Sequence, residues 1–194
     1  MKQPCDLPHH RSIIALDIAD STSRADTVKA KLRELMYEMV EKALQDAGIA
    51  PWHHDNLIDR GDGVLVLVHP VPQAPKALLL AKVIPVLAGA LRMHNLQAPD
   101  QRLRLRTAMH AGEVNYDGHG CFGEALDITF RLLDAPLVKR ILREVAESMV
   151  LVISDHVYRS VVRHGYQGVL DVYTRRTTVL VAGHHHRGWI ASVE

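Results

Sequence analysis

The sequence has few of the features that mark secreted or membrane-spanning proteins. Only two of its 194 residues are cysteines, Cys5 and Cys121, too few for the disulfide framework of a small secreted domain. The opening segment MKQPCDLPHHR lacks the apolar stretch of a signal peptide. The longest apolar stretch, around 77–90, is interrupted by Lys82 and Pro85 and falls short of the roughly 20 residues that span a membrane. We therefore expect a cytoplasmic protein with no membrane as a partner.

The chain also lacks an excess of charge of either sign. It has 23 Lys and Arg against 22 Asp and Glu, a formal net charge of +1. Proteins bind nucleic acids and anionic lipid surfaces through an excess of positive charge, so we expect neither as a partner. Hydrophobic residues make up 47% of the chain, which is typical of a folded globular domain.

Histidine, in contrast, is plentiful. Most of the 13 histidines lie in short clusters at 9–10, 53–54 and 184–186, and a zinc site is one interpretation of them. Cysteine or carboxylate partners at metal-ligand spacing are missing, and a strand directs adjacent residues to opposite faces. We favour histidines in surface loops. Cys121 has no histidine and acid arrangement around it in the sequence, so we expect a core or loop residue rather than a nucleophile.

Hydrophobic periodicity predicts alternating strands and helices. Strands are expected at 11–17, 52–58, 64–68, 103–114, 149–154, 169–173 and 178–182. Helices are expected at 27–48, 76–94, 125–135, 136–146 and 155–165. We predict an α/β (α+β) fold with a ferredoxin-like βαββαβ core and a C-terminal αβαββ extension whose last two strands form a hairpin. One domain would span 11–183, between an N-terminal tail at 1–10 and a C-terminal tail at 184–194.

Two aspartates adjoin predicted buried strands. Asp17 ends the first strand, and Asp62 lies in a glycine-containing turn just before the aliphatic run 64–68. Asp-Gly is a common turn pair, and Asp17 and Asp20 are also suited to capping the following helix. Neighbouring strands would instead bring Asp17 and Asp62 together, and carboxylate oxygens are the ligands that magnesium prefers. Both interpretations follow from the local sequence.

Four motifs together resemble the catalytic domain of class III nucleotidyl cyclases. LDIADST, DRGDGVLVLV, LRTAMHAGEV and GEALDITFRLLDA occur in that family's order and spacing, over roughly 11–158. The resemblance implies an enzyme that converts a nucleoside triphosphate into a 3′,5′-cyclic monophosphate and pyrophosphate. It implies two Mg²⁺ or Mn²⁺ ions held by Asp17 and Asp62, with help from the carbonyl of Ile18. It also implies a homodimer with composite active sites, and a downstream effector that binds the cyclic nucleotide.

The resemblance assigns further residues to catalysis and substrate binding. Arg131 matches the arginine that stabilises the phosphate charge in the transition state. Asp127 stands where the family has an asparagine that orients the ribose. We expect free N–H groups of the segment before the first helix, together with Gly61 of the turn, to approach the phosphates. The segment consists of Ile18, Ala19, Asp20, Ser21 and Thr22.

Base selection departs from the family's pattern. The family's selector, three residues before the turn glycine, falls on Ile58, and a second selector falls on Gly120. Neither residue offers the usual polar group for adenine or guanine. The pocket then takes another base, including a pyrimidine as in stand-alone cyclases of antiphage signalling, or the domain is a degraded cyclase that binds nucleotide or a partner without turnover. The phosphate-binding lysine of the last hairpin has no match, and we expect Arg175 or Arg176 to substitute.

The turn around Asp62, the alternating arginines and His110 lead to three further expectations. A diguanylate-type synthase has a related fold, but the turn here offers one acid after the glycine, unlike a GG[D/E]EF-like turn. Arg102, Arg104 and Arg106 alternate along a strand, so we expect them to line a solvated or dimer face. His110 also matches the family, in a structural role on a central strand near the interface.

Overall fold

The computed structural model describes residues 7–169 and 171–194. The first six residues, with Cys5 and most of the expected N-terminal tail, lie outside the described residues. The described chain forms eight strands: β1 His9–Ile18, β2 Ile58–Asp59, β3 Gly63–Val68, β4 Leu105–Asp117, β5 Gly120–Phe122, β6 Met149–Ser154, β7 Arg175–Val181 and β8 His184–Val193. Its helices are α1 Asp26–Asp46, α2 Lys76–Gln97, α3 Glu124–Leu133, α4 Pro136–Glu144 and α5 Asp155–Ser160.

The strands form one sheet in the order β2-β3-β1-β4-β6-β8-β7, and β5 pairs with β4 off that path. β1 lies between β3 and β4 and is antiparallel to both, whereas β4 and β6 run parallel. The predicted βαββαβ core and the αβαββ extension are both present. The mixed fold class and the ferredoxin-like core are therefore confirmed.

The aliphatic runs at the sheet centre are explained by helices on both faces. Successive residues of a strand point to opposite sides. Ile14 and Leu16 pack with α1 and α2 in one core cluster, whereas Ile13 and Ala15 pack with α3 and α4 in another. All six residues of β3 are buried for the same reason. The central strands thus hold the helices that flank the site in fixed positions.

Helix α2 was expected at 76–94 and continues through Lys82 and Pro85, the two residues that interrupt the apolar stretch. A proline lacks the N–H group and crowds the carbonyl four residues earlier, here that of Ala81. Ala81 lies in a π-helical turn, Leu79–Val83, and this wider turn accommodates Pro85. By length and composition α2 is apolar enough to cross a membrane, but Leu79 and Leu91 are fully buried in the core. A buried helix of a folded domain has the same composition.

The C-terminal part of the chain differs from the prediction. Residues 184–193, expected as part of a tail, form β8, which pairs with both β6 and β7. The last hairpin therefore joins β7 to β8, and 169–173 contributes no strand in its described residues. The polar start of β8 concealed it, because none of its first four residues is buried and burial begins at Gly188. Likewise, the strand expected at 52–58 is reduced to β2, although its hairpin with β3 is present.

Candidate functional site

Strand pairing brings the two aspartates of the predicted site together. Asp17 lies opposite Gly63 in the pairing of β1 with β3, and the backbone N–H of Ile18 donates to the carbonyl of Asp62 at 2.9 Å. A Cβ atom added to Gly63 would lie 2.3 Å from the carbonyl oxygen of Leu16. Only glycine therefore lets the turn approach β1 this closely. This close approach places Asp62 beside Asp17.

Asp17 is nearly buried, and its two oxygens have different surroundings. Its side chain is 14% exposed, and Arg106, directly across on β4, donates to Oδ2. Oδ1 is buried and has no hydrogen-bond partner among the described residues. Burial raises the pKa of Asp17 to about 6; the carboxylates of Asp62 and Asp134 add to the rise, and Arg106 opposes it. A buried carboxylate oxygen without a partner is suited to a bound cation.

Asp62 is held by the segment that follows β1. The hydroxyl of Ser21, a buried residue, donates to Oδ2 of Asp62. The sequence argument did not assign this orienting role to Ser21. A hydroxyl fixed on one oxygen orients the carboxylate and leaves the other oxygen available to a ligand.

The two carboxylates supply part of the ligand set that a hard metal ion requires. In the part of the chain that the structure describes, no three His, Cys, Asp or Glu side chains converge as a ready-made metal site. Two carboxylates are enough for magnesium or manganese when water and substrate oxygens complete the shell. The histidine clusters at 9–10 and 184–186 lie in β1 and β8 rather than in the surface loops that were expected.

The segment Ile18–Thr22 does not have the expected helix N-terminus. The N–H groups of Ile18 and Ala19 donate to the carbonyls of Asp62 and Arg104, both at 2.9 Å. A single 3₁₀ turn follows at Ser21–Ser23, and α1 begins only at Asp26. Asp20 adopts a left-handed conformation and makes no side-chain cap. The segment therefore does not present the helix N-terminus that was expected there.

The same segment nevertheless lines a cavity of about 230 Å³. Opposite the segment, Asp62 and four basic side chains complete the wall: Arg104, Arg106, Lys139 and Arg143. Asp20 and Asp62 are its only acidic lining residues, so positive charge is in excess. Such a cavity suits a polyanion, and we call it the cationic cavity.

Arg104, just before β4, and Arg106, on β4, line this cavity rather than a solvated or dimer face, whereas Arg102 is exposed and does not line it. Arg104 donates to the backbone carbonyls of Val145 and Glu147 at 2.8 and 2.9 Å, while Arg106 pairs with Asp17. Burial and the neighbouring Arg102 lower the pKa of Arg104. The alternation of Arg102, Arg104 and Arg106 in the sequence indicated a strand but not which face was covered. Only the pairing of β1 with β4 in the folded sheet shows it.

Asp127 and Arg131 lie on the exposed face of α3, at a second cavity of about 380 Å³. Phe130, Asp134 and the end of β7 line the same cavity, which shares no lining residue with the cationic cavity. Neither Asp127 nor Arg131 makes an ion pair with any described residue. One chain therefore carries the two parts of the predicted site at separate cavities.

The residues expected to select the base or to replace the missing lysine line neither cavity. Ile58 is half-buried against the core, and Gly120 is exposed in β5. Arg175 pairs with Glu144 at 3.4 Å, and the guanidinium of Arg176 lies 4.6 Å from the ring centre of Trp189. Gly61, which has a φ of +77°, is exposed in the turn and borders a small void of about 90 Å³ beside Asp62.

The largest cavity lies elsewhere and lacks comparable chemistry. It has a volume of about 900 Å³ and lies between the second half of α1 and residues 48–57. Its lining includes one carboxylate, Glu41, and no lysine or arginine. The smaller cationic cavity is therefore the better candidate for chemistry on a charged ligand.

His110 has the structural surroundings that were expected of it. The ring lies on β4, 8% exposed, with Nδ1 2.7 Å from the hydroxyl of Ser154. Burial lowers the pKa of His110 to about 4, with a smaller contribution from His156. The ring is therefore neutral near pH 7. Cys121 is half-buried, and burial raises the pKa of its thiol, which does not favour a nucleophile.

Comparison with known proteins identifies the fold. No family model and no curated protein matches the sequence. The guanylyl cyclase Cya2 is 18% identical, with a TM-score of 0.63 over 99% of this chain and 96% of that one. An adenylate/guanylate cyclase/hydrolase from Silicibacter pomeroyi is 16% identical, with a TM-score of 0.66 over 96% and 98%. The guanylate cyclase domain of RhGC from Catenaria anguillulae, in complex with GTP, is 12% identical, with a TM-score of 0.57 over 96% and 98%.

At these identities the likeness shows the fold alone. The chain has the fold of adenylyl and guanylyl cyclase catalytic domains over nearly its whole length. The four sequence motifs predicted this fold, and the prediction is confirmed.

Proposed function

We propose that this chain, which has the fold of adenylyl and guanylyl cyclase catalytic domains, is a nucleotidyl cyclase. The reaction would convert a nucleoside triphosphate into a 3′,5′-cyclic monophosphate and pyrophosphate. The observation that carries the proposal is the position of Asp17 opposite Gly63 in the strand pairing, next to Asp62, which lines the cationic cavity. Two carboxylates beside an excess of positive charge suit a metal-bound triphosphate.

Each residue of the proposed site has a distinct task. Asp17 and Asp62, with the carbonyl of Ile18, would hold two Mg²⁺ or Mn²⁺ ions, which supply positive charge at the phosphates. The attack of the 3′-hydroxyl on the α-phosphorus increases negative charge that Arg131 is suited to stabilise. Asp127 would accept a hydrogen bond from the ribose. If metal ions bind Asp17, Arg106 would have to release Oδ2 of Asp17 and contact another partner.

We further propose a homodimer with two composite sites. The separation of Arg131 and Asp127 from the cationic cavity supports this arrangement, because one chain does not bring the two parts together. In a two-fold dimer each chain would contribute its aspartates to one site and its α3 side chains to the other. The lack of ion-pair partners for Arg131 among the described residues also leaves it available to a neighbouring chain.

The base stays open in this proposal. Ile58 and Gly120 offer no side-chain donor or acceptor to a purine edge, so a pyrimidine is among the candidates. A pyrimidine product would fit antiphage signalling through an effector that binds cyclic nucleotides. The composition of the chain supports a cytoplasmic site of action.

The test is a product assay with each of the four ribonucleoside triphosphates and Mn²⁺. We expect one cyclic monophosphate and stoichiometric pyrophosphate, detected by mass spectrometry, and no product from Asp62→Ala. Absence of cyclic product with all four substrates would refute the cyclase.

A catalytically degraded homologue that binds nucleotide without turnover is the second candidate. Two observations favour it: Arg106 already pairs with Asp17, and Asp127 adds negative charge where the resemblance implies an asparagine. Saturable triphosphate binding that Asp62→Ala weakens, without any cyclic product, would support this second function instead.

A further inference from the structure

Helix α4 directs two basic side chains into the cationic cavity. Val138, Ile141 and Leu142 are buried against the core and fix the helix. Lys139 and Arg143 are four residues apart, so they lie on one face, and both line the cavity that contains Asp62. Both cations therefore lie at the same cavity as Asp62 of their own chain.

These two side chains make fewer contacts than the other two cations that line the cavity. Arg104 is bound to backbone carbonyls, and Arg106 is paired with Asp17. Lys139, 43% exposed, contacts Asp134 at 2.8 Å, and Arg143 is exposed and makes no ion pair in the described parts of the chain. An anion that enters the cavity can therefore contact Lys139 and Arg143 while few existing interactions of these side chains are lost.

The arginines that were expected to bind phosphate are engaged elsewhere. Arg175 pairs with Glu144, and Arg176 covers the ring of Trp189. Neither lines the cationic cavity. Positive charge for the departing phosphates is available from another element, because α4 places Lys139 and Arg143 at the cavity.

We infer that Lys139 and Arg143 bind the β- and γ-phosphates of a triphosphate held by Asp17 and Asp62 of the same chain. The inference rests on the proposed function for the identity of the anion. It differs from the sequence-based expectation, which sought these cations in the last hairpin. Asp134 contacts Lys139 at 2.8 Å and Arg106 at 3.9 Å, so a phosphate that binds Lys139 would compete with this carboxylate.

Binding of inorganic pyrophosphate, measured by calorimetry on the full chain, tests the anion site without any turnover. Lys139→Ala and Arg143→Ala should each weaken pyrophosphate binding about tenfold, the loss typical of one charge-assisted contact. Lys139→Arg should retain most of the affinity. Arg140→Ala is the matched control, because Arg140 lies on the same helix, pairs with Glu144 and does not line the cavity. Equal affinity of Lys139→Ala and Arg140→Ala, or a larger loss in Arg175→Ala, would overturn the inference.

Subunit complementation tests whether these cations act on the same chain as the aspartates. Asp17→Ala and Arg131→Ala chains, each inactive alone, should regain activity when mixed, because one composite site of the mixed dimer is intact. Lys139→Ala on the Arg131→Ala chain should then lower the regained activity about tenfold more than Lys139→Ala on the Asp17→Ala chain. The reverse order would overturn the same-chain assignment. If mixing restores nothing, the composite cyclase fails, whereas the pyrophosphate result still decides the anion site.

Discussion

At the scale of single residues, the candidate site places like charges close together in a poorly hydrated position. Asp17 is nearly buried beside Asp62 and Asp134, and one of its oxygens has no partner among the described residues. Such an arrangement costs folding free energy, since burial disfavours the charged form of a carboxyl. It is the arrangement expected of a residue kept for binding rather than for stability.

Replacing Asp17 by Asn should therefore separate function from stability. We expect at least a 100-fold loss of cyclase activity, on the order of the loss of a metal-binding group, together with loss of Mn²⁺ binding. Without metal, the free energy of unfolding at pH 7.5 should rise by about 1–2 kcal/mol, because a buried ion with a raised pKa becomes neutral. Manganese binding by electron paramagnetic resonance and urea unfolding check the two parts. A destabilised Asp17→Asn would show that the pair with Arg106 outweighs the cost of burial.

Asp127 is the second residue whose charge opposes its proposed task. Its carboxylate would lie near the phosphates in the composite site, where an amide accepts the same ribose hydrogen bond without the repulsion. Asp127→Asn should raise kcat by about threefold to tenfold, a change of about 1 kcal/mol in the barrier. Asp127→Ala, which removes the acceptor as well, should lower kcat. Equal rates for the two variants in steady-state assays would exclude a ribose contact.

At the scale of elements, a glycine of β4 helps to set the distance between α3 and the sheet. A Cβ atom on Gly112 would lie 2.8 Å from the Cβ of Ala125, in the first turn of α3. That helix carries both Asp127 and Arg131, so its distance from the sheet also sets the position of these side chains. A small residue in one element thus controls the geometry of functional residues in another.

Gly112→Ala should accordingly impair catalysis as well as stability. We expect a loss of about 1–3 kcal/mol from overpacking and a drop in kcat of about tenfold from displacement of α3. The control is Gly89→Ala in α2, where an added Cβ meets no atom within 4 Å and the helix should gain up to about 1 kcal/mol. Urea unfolding and steady-state kinetics on both variants measure the effects. An unchanged kcat in Gly112→Ala would show that α3 tolerates the shift.

At the scale of the whole molecule, two buried titratable groups give the stability opposite pH dependences. The pKa of His110 is lowered from 6.5 to about 4, so the unfolded chain binds the extra proton first as the pH falls. The stability from neutral His110 is present above about pH 6.5 and is lost as the pH falls towards about 4. Asp17 has a raised pKa, so its contribution changes in the other direction between about 6 and 3.8.

Comparison with His110→Asn isolates the histidine term. The variant lacks this titration, so its stability deficit relative to the native chain should shrink as the pH falls. Between pH 7.5 and pH 5 the change should be about 2 kcal/mol, from the lowered pKa of His110. Urea unfolding of both proteins at the two pH values measures it. A deficit that stays constant would show that His110 titrates alike in the folded and unfolded chains.

Local sequence determined most of the secondary structure and half of the candidate site. Hydrophobic periodicity located the helices and the central strands, because both depend on spacing that neighbouring residues fix. The motifs around Asp17, Asp62 and Arg131 predicted the cyclase fold through their resemblance to that family's motifs. β8 was missed because its first residues are polar and its partners, β6 and β7, are recognised only when the sheet is assembled.

Tertiary structure alone decided which cations meet the two aspartates. Arg106 contacts Asp17 because β1 and β4 pair in one register. Lys139 lines the cavity because α4 packs against the face of the sheet opposite to α1 and α2. These contacts join residues that are 89 and more than 70 positions apart. No local pattern encodes such distances, since they depend on strand pairing and helix packing across the whole chain. The sequence by itself therefore determined where the acids lie, and the fold determined which charges surround them.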